Sequence, residues 1–348
     1  MATLSEIGLT GFSSERYSRQ VLFAGIGEPG QAKLRSAHVA IVGCGATGAA
    51  AASLLARAGT GKLTLIDRDF VEESNLQRQV LFDEADARDC LPKVEAAKKK
   101  IGLFNSEVAI EAKVADLTPA NIHELLAAAE LILDATDNFE TRYLVNDYAV
   151  EQEKPWIYSA AVGAYAATMN ILPGETACLA CIFPEPPGGT VETCDTAGIL
   201  NSAVNLAASL AVTEAMKLMV GARERVRRTL LSCDLWANEW SSVSAGTPRA
   251  GCEVCGKRDF RHLRGEGRPH ITLCGRNSVQ IHEHGRPVDF EDLAVRLRPH
   301  GNVRSNSMLL RFERGEHTLT VFADGRAIIQ GTTDVAVARS LYSRFVGS

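Results

Sequence analysis

Val39-Ala40-Ile41-Val42-Gly43-Cys44-Gly45-Ala46-Thr47-Gly48 decides how this chain is read. A short β-rich run breaks into G-x-G-x-x-G, and the alanine-rich segment Ala49–Ala58 continues as a helix that Gly59 can stop. In that context the glycines serve three ends: a tight turn, room for a phosphate against the backbone, and close packing of helix on strand. The helix N-terminus adds unpaired N–H groups and the positive end of a dipole. A second strand, Lys62–Ile66, then leads to Asp67. It falls about 20 residues past the glycines, where an acid that holds a ribose is expected. Gly43, Gly45, Ala46, Gly48 and Asp67 therefore outline a nucleotide site. A lone glycine motif is weak; strand, glycines, helix, strand and acid in that order are much stronger.

The pattern extends in both directions. Arg16-Tyr17-Ser18-Arg19-Gln20-Val21-Leu22-Phe23 opens a helix with Arg16 and Arg19 on one face. Asp69 to Gln79 is polar and poorly periodic, a loop at the carboxyl end of the sheet, where open α/β folds bind ligands. Pro92 suits the first turn of a helix running to Ile101, with Lys93 directly after it. Val108–Ala112 reads as a strand, and Thr118 caps a helix with Pro119 at its first position. Leu131–Ala135 is a buried strand ending in Thr136-Asp137-Asn138; Phe139–Glu153 is helical and Pro155–Ser159 is the next strand. This alternation predicts an α/β fold, a Rossmann-like and mostly parallel sheet with helices on both faces.

From Ala166 the pattern changes to antiparallel strands, Ala166–Leu172 and Leu230–Asp234, around a long apolar helix, Leu200–Met219. The charged, glycine-containing stretch Arg258–Pro269 is a linker. A small α+β unit is expected over 268–348, with helices at Phe290–Leu297 and Val335–Phe345 and an Asp324-Gly325 hairpin.

Composition narrows the function classes. The chain has 348 residues, 46% hydrophobic and 23% charged, with a formal net charge of −5. That balance argues against a nucleic-acid binder relying on bulk positive charge. No apolar run reaches the ~18 residues of a membrane span, and Met1–Ser14 shows no signal peptide. No membrane or nucleic-acid partner is expected, and the cytoplasm is the default location. Nine cysteines are present, four of them in two C-x-x-C pairs, Cys178/Cys181 and Cys252/Cys255. Without an export signal such pairs read as metal ligands before disulfides, and the two can converge on one closed tetrahedral zinc site. The alternative is four buried thiols.

Four further groups can reach a triphosphate: Asn75, Arg78, Lys93 and Arg19. Lys and Arg on the β and γ phosphates neutralise charge on a departing pyrophosphate. Asp137, at the end of a central strand, stands where a Mg²⁺ ligand is expected. The bland alternative makes Arg78 and Lys93 surface charges and Asp137 the cap of the next helix. Cys194 lies between a Pro/Gly-rich loop and Asp195-Thr196-Ala197-Gly198, where a thiol can take up an acyl group. Unpaired Cys is equally a common buried residue.

Taken together, Arg16-Tyr17-Ser18-Arg19-Gln20, the glycine loop, Leu65-Ile66-Asp67, Ser74-Asn75-Leu76-Gln77-Arg78-Gln79, Pro92-Lys93, Thr136-Asp137-Asn138 and both C-x-x-C pairs resemble the ThiF/MoeB/HesA adenylyltransferases, bacterial relatives of ubiquitin-activating enzymes. The resemblance covers about residues 15–257. It implies an ATP-dependent enzyme that adenylates the C-terminal glycine of a ubiquitin-like sulfur-carrier protein of MoaD or ThiS type. By the same resemblance Asp67 holds the ribose, Asn75, Arg78 and Lys93 bind phosphates, Asp137 binds Mg²⁺, and Ser74 and Asn138 line the nucleotide site. Arg19 then reaches into a neighbouring subunit's site, which implies a homodimer. Cys178, Cys181, Cys252 and Cys255 match structural zinc ligands, and Cys194 matches a loop cysteine that some members use covalently. A sulfur donor such as a cysteine desulfurase is a further implied partner.

Two departures stand out: Ala46 replaces a common glycine, and Cys274-Gly275-Arg276-Asn277-Ser278 lacks the active-loop pattern of the rhodanese domain that some relatives append. Three alternatives stay open, one of them a non-catalytic partner or scaffold that keeps the nucleotide fold, against which the intact Arg78, Lys93 and Asp137 speak. An NAD-dependent oxidoreductase would use the glycine loop and Asp67 equally well but leaves the basic residues unexplained. A family relative adenylating tRNA is the third.

Overall fold

The computed structural model describes residues 15–185, 197–266, 272–273, 278–281, 288–305, 309–323 and 325–347. The chain divides into two compact units, a larger one ending at Gly265 and a smaller one from Glu266 to Ser348.

The larger unit is built on one eight-stranded sheet. In chain order its strands and longest helices are β1 (His38–Val42), α1 (Ala46–Ala58), β2 (Lys62–Asp67), α2 (Lys93–Phe104), β3 (Ala109–Val114), β4 (Leu131–Asp134), α3 (Phe139–Glu151), β5 (Trp156–Val162), β6 (Tyr165–Ile171), α4 (Asn201–Val220), β7 (Thr229–Asp234) and β8 (Glu239–Ser244). Sheet order is β3-β2-β1-β4-β5-β6-β7-β8. The first five strands run parallel, and β6, β7 and β8 continue antiparallel. This is the parallel-then-antiparallel sheet expected from the alternation.

The strand order reverses between β1 and β4, and that is where a doubly wound sheet opens a crevice at its carboxyl edge. The chain crosses that edge at Gly43, whose φ of 89° suits glycine. A Cβ there would lie 2.8 Å from the Ala135 carbonyl oxygen, so the β1 loop and the end of β4 lie against each other. Gly48 packs closer still: its Cβ would fall 1.9 Å from the Gly43 carbonyl oxygen. Helix α1 ends at Gly59 in the left-handed conformation, φ 82°, with the Tyr17 ring occupying the space a side chain would take.

Helix α4 is the one helix among the described residues long and apolar enough to cross a membrane. Its buried stripe, Ala203, Val204, Ala207, Ala208, Ala211, Val212 and Ala215, repeats at helical spacing. Small side chains let it lie close against α1 and the β5–β6 pair.

The structure departs from the local expectations in several places, among them the expected linker Arg258–Pro269, whose Phe260 and Leu263 pack on the core of the larger unit. The helix expected after a Thr118 cap starts at Ile122, because Asn121 accepts the Thr118 N–H at 2.8 Å and holds the preceding residues as a turn. The helix expected over Arg16–Phe23 is a single turn, Ser18–Val21. Strand β8 has no counterpart in the sequence reading; all six of its residues are exposed, so no alternation marks it.

In the smaller unit, β9 (Thr272–Leu273), β10 (Ser278–Ile281), α5 (Phe290–Leu297), β11 (Asn302–Ser305), β12 (Leu309–Arg314), β13 (His317–Phe322), β14 (Ala327–Gln330) and α6 (Val335–Phe345) follow one another. The sheet is antiparallel in the order β11-β12-β13-β14-β10-β9. Asp289 and Asp334 cap the two helices, each accepting two backbone N–H groups. Leu293, Leu297, Tyr342 and Phe345 meet Val279, Phe312, Val321 and Ile329 in its own core.

Candidate active site

Asp67 ends β2 beside the glycine loop. One carboxyl oxygen accepts the Cys44 N–H at 2.6 Å and the other the Asp69 N–H at 2.7 Å. Each oxygen keeps a lone pair, which suits a pair of ribose hydroxyls. Burial pushes this carboxyl upward, while the charge of Lys93 and the two N–H donors pull it back.

Lys93 begins α2 and is 2% exposed. Its Nζ lies 3.1 Å from Asp69 Oδ2, and its own N–H donates to the Asp69 carbonyl at 2.9 Å. Reading it as a surface charge therefore fails; it is an enclosed cation with one carboxylate partner. Sequence reasoning does not single out Asp69. The available signal is its place two residues after Asp67 at a strand end.

The Glu72–Gln79 turn is self-supporting. Asn75 is buried and its Oδ1 accepts the Glu72 N–H at 3.1 Å. Arg78 folds back on the Ser74 carbonyl at 2.9 Å. Gln77 and Asn201 bond across to each other's segments, through the Ile199 and Gln77 carbonyls, and tie this turn to the start of α4. The turn also lies over the glycine loop, with Gln79 Nε2 3.8 Å from where a Gly45 Cβ would stand. That Cβ position is otherwise open, so the loop faces free space, as a phosphate requires.

At the end of β4, Asp137 is exposed and the helix cap is its neighbour: Asn138 Oδ1 accepts the Thr141 N–H at 2.9 Å. The loop between is held from inside by a pair that sequence reading misses. Arg142, 6% exposed, puts Nε 3.3 Å from Asp134 Oδ2 and donates to the Thr136 and Ser159 carbonyls. Asp134 also takes the Thr136 N–H and hydroxyl at 3.0 and 2.6 Å. An Asp closing the apolar run Leu131-Ile132-Leu133 is the one signal for it.

The glycine loop, Asp67, Lys93, the Glu72–Gln79 turn and the β4 end thus meet at one edge of the sheet. Arg19 does not join them. It is exposed and forms no hydrogen bond or ion pair among the described residues. Ala46 opens α1 with a half-buried methyl. Cys194 lies outside the described residues.

The two C-x-x-C pairs converge. Sγ separations are 3.8 Å for Cys178–Cys181, 3.6 Å for Cys178–Cys252 and 3.3 Å for Cys181–Cys255. All four sulfurs lie within 4.8 Å of one another. A tetrahedral ion with Zn–S bonds of about 2.3 Å needs sulfurs about 3.8 Å apart, so the set can hold zinc. The Arg249 N–H points at Cys181 Sγ from 3.3 Å, a donor suited to a thiolate. With four protein ligands such a site is closed and structural.

Comparison with known proteins completes the picture. Residues 17–254 match the ThiF family. The chain belongs to the ThiF family. It is 45% identical over 336 residues to the sulfur carrier protein ThiS adenylyltransferase of Bacillus subtilis, covering 95% of this chain and 99% of that protein. The SAMP-activating enzyme E1 of Haloferax volcanii is 36% identical over 244 residues, 70% of this chain and 89% of the relative. Among solved structures, E. coli MccB with ATP superposes with a TM-score of 0.60 at 26% identity, over 70% of this chain and 75% of that one. The ThiF-family match ends near the second C-x-x-C pair, whereas the Bacillus relative also spans the smaller unit.

Proposed function

We propose that this chain is an ATP-dependent adenylyltransferase that activates the C-terminal glycine of a ubiquitin-like sulfur-carrier protein. The observation that carries it is the near full-length similarity to a ThiS adenylyltransferase together with an enclosed cation beside a ribose-type acid at the switch point of the sheet. A carrier of ThiS type is the first candidate on the same grounds.

The reaction joins two anions. A carrier carboxylate oxygen attacks the α-phosphorus, a P–O bond to the β-phosphate breaks, and pyrophosphate leaves with its electron pair. Little covalent work falls to the protein, so cationic groups and positioning supply most of the acceleration. Asp67 accepts the ribose hydroxyls, and Gly43, Gly45 and Gly48 let phosphate approach the loop. Lys93 exchanges part of its contact with Asp69 for phosphate, and Arg78 turns from the Ser74 carbonyl toward the same charge. Asp137, with Asn138 beside it, would hold Mg²⁺, which neutralises phosphate charge when bound. Arg19, free of partners within its own subunit among the described residues, serves the site of a second copy in a homodimer. Zinc on the four cysteines is structural. The Cys194 thiolate attacks the acyl-adenylate carbonyl, the bond to AMP breaks and AMP leaves, and the carrier is held as a thioester, with a cysteine desulfurase as the later source of persulfide sulfur. The smaller unit docks the carrier or that donor.

The test is ATP–pyrophosphate exchange with a panel of Gly-Gly-ending carriers. Exchange with one of them, lost in Asp137→Ala, supports the reading. Exchange with none, alongside reduction of a nicotinamide cofactor, would replace it with the oxidoreductase.

A further inference from the structure

Gln79 closes the turn that carries Ser74, Asn75 and Arg78, and its backbone is pinned. Its N–H donates to the Asn75 carbonyl at 2.9 Å, and its own carbonyl accepts the Phe82 N–H at 3.1 Å. The side chain is 3% exposed. Nε2 is the one atom within 4 Å of the place a Gly45 Cβ would occupy. Oε1 is enclosed and accepts no hydrogen bond. Neither end of the amide is partnered among the described residues.

An enclosed acceptor left unmet, as Oε1 is, costs about 1–3 kcal/mol, and buried polar groups are nearly always paired. A residue that only filled space under the turn would be better served by Leu or Met. The donor end faces the glycine loop, 3.8 Å from where a Gly45 Cβ would stand. With Nε2 toward the loop the amide presents a donor there, which is the end that suits an anion.

We propose that Gln79 is a further nucleotide-binding residue, donating through Nε2 to a phosphate oxygen of the nucleotide seated on Gly45. A neutral amide reports where that oxygen stands and adds no charge of its own, unlike Arg78 and Lys93. The proposal rests on the adenylation reading in taking ATP as the ligand.

The test compares Gln79→Met and Gln79→Glu with the unaltered chain by titration calorimetry and thermal melting. The ligands are α,β-methylene-ATP with Mg²⁺, and adenosine. Losing one hydrogen bond to a charged acceptor should weaken the analogue in Gln79→Met by about tenfold and leave adenosine binding unchanged. Gln79→Glu, which sets a carboxylate against phosphate, should weaken the analogue further. Without ligand, Gln79→Met should melt no lower than the unaltered chain, since an enclosed unpaired acceptor is gone. A lower melting temperature in Gln79→Met with undiminished analogue binding would assign Gln79 a purely structural role and overturn the proposal. Equal losses for adenosine and the analogue overturn it too. An unaltered chain that binds no analogue overturns the adenylation reading as well, so the two failures are separable.

Discussion

Replacing Arg142 with methionine keeps the stem's volume and removes the guanidinium that Asp134 faces. Asp134 is fully enclosed, so it loses its cation without gaining water. Removing one partner of a buried pair costs about 3–5 kcal/mol. The Thr136 N–H and hydroxyl remain on Asp134 at 3.0 and 2.6 Å, which places the loss near the lower limit. The Thr136 and Ser159 carbonyls each lose a donor, adding about 1 kcal/mol between them. The sum is about 4 kcal/mol. With a urea slope of about 3 kcal/mol/M, the midpoint of the larger unit should fall by about 1.3 M. Fluorescence of Trp156, enclosed in β5, can follow the transition. Burial already pushes the Asp134 carboxyl up, with Arg142 the leading opposing influence. Without Arg142 it moves further above its unfolded value. A carboxyl raised in the folded state contributes most below its unfolded pKa and loses that contribution as pH rises through the folded value. The deficit should therefore be smaller at pH 5 than at pH 8. Adding Asp134→Asn, which keeps an acceptor for Thr136 and removes the stranded charge, should recover much of the loss. A deficit under about 1 kcal/mol, or a double variant equal to the sum of the singles, would refute the ion-pair account.

Other expectations are compact. Purified protein should carry one zinc per chain by elemental analysis, and Cys252→Ser should lose it and melt at a lower temperature, because a structural metal's binding energy is folding energy. Gly48→Ala should abolish the thermal shift from an ATP analogue, because its methyl would land 1.9 Å from the Gly43 carbonyl oxygen, a backbone atom that cannot move aside alone. Asp147 accepts the His262 N–H at 2.9 Å, and burial pushes its carboxyl up to about 7. Its raised value favours the fold below the ordinary carboxylate range and loses that benefit as pH climbs to 7. The unaltered chain should then lose on the order of 2–3 kcal/mol between pH 5 and 8. Asp147→Asn should stay nearly flat in paired denaturant titrations at the two pH values; equal slopes would show that Asp147 does not titrate there.

What can be read from residues alone is whatever local backbone chemistry enforces. A β-rich run into glycines fixes β1, its turn and α1, because Gly43 and Gly59 take conformations that other residues resist. The spacing of Cys178/Cys181 and Cys252/Cys255 marks the metal set, although only the folded chain closes the 74-residue gap between the pairs. The Arg142–Asp134 pair has no comparable signature. Helix α3 is buried on nearly every side from Arg142 to Val150, so it has no polar stripe against which an inward arginine stands out. Lys93 is legible as a residue but not as a state: its enclosure and its ion pair with Asp69, 24 residues earlier, exist only in the folded chain. That arrangement bears on chemistry. A lysine paired with a carboxylate at 3.1 Å costs less to bury than a bare ammonium. The crevice thus stores a cation in contact with its own counter-ion. On the adenylation reading proposed above, a bound triphosphate would share Lys93 with Asp69.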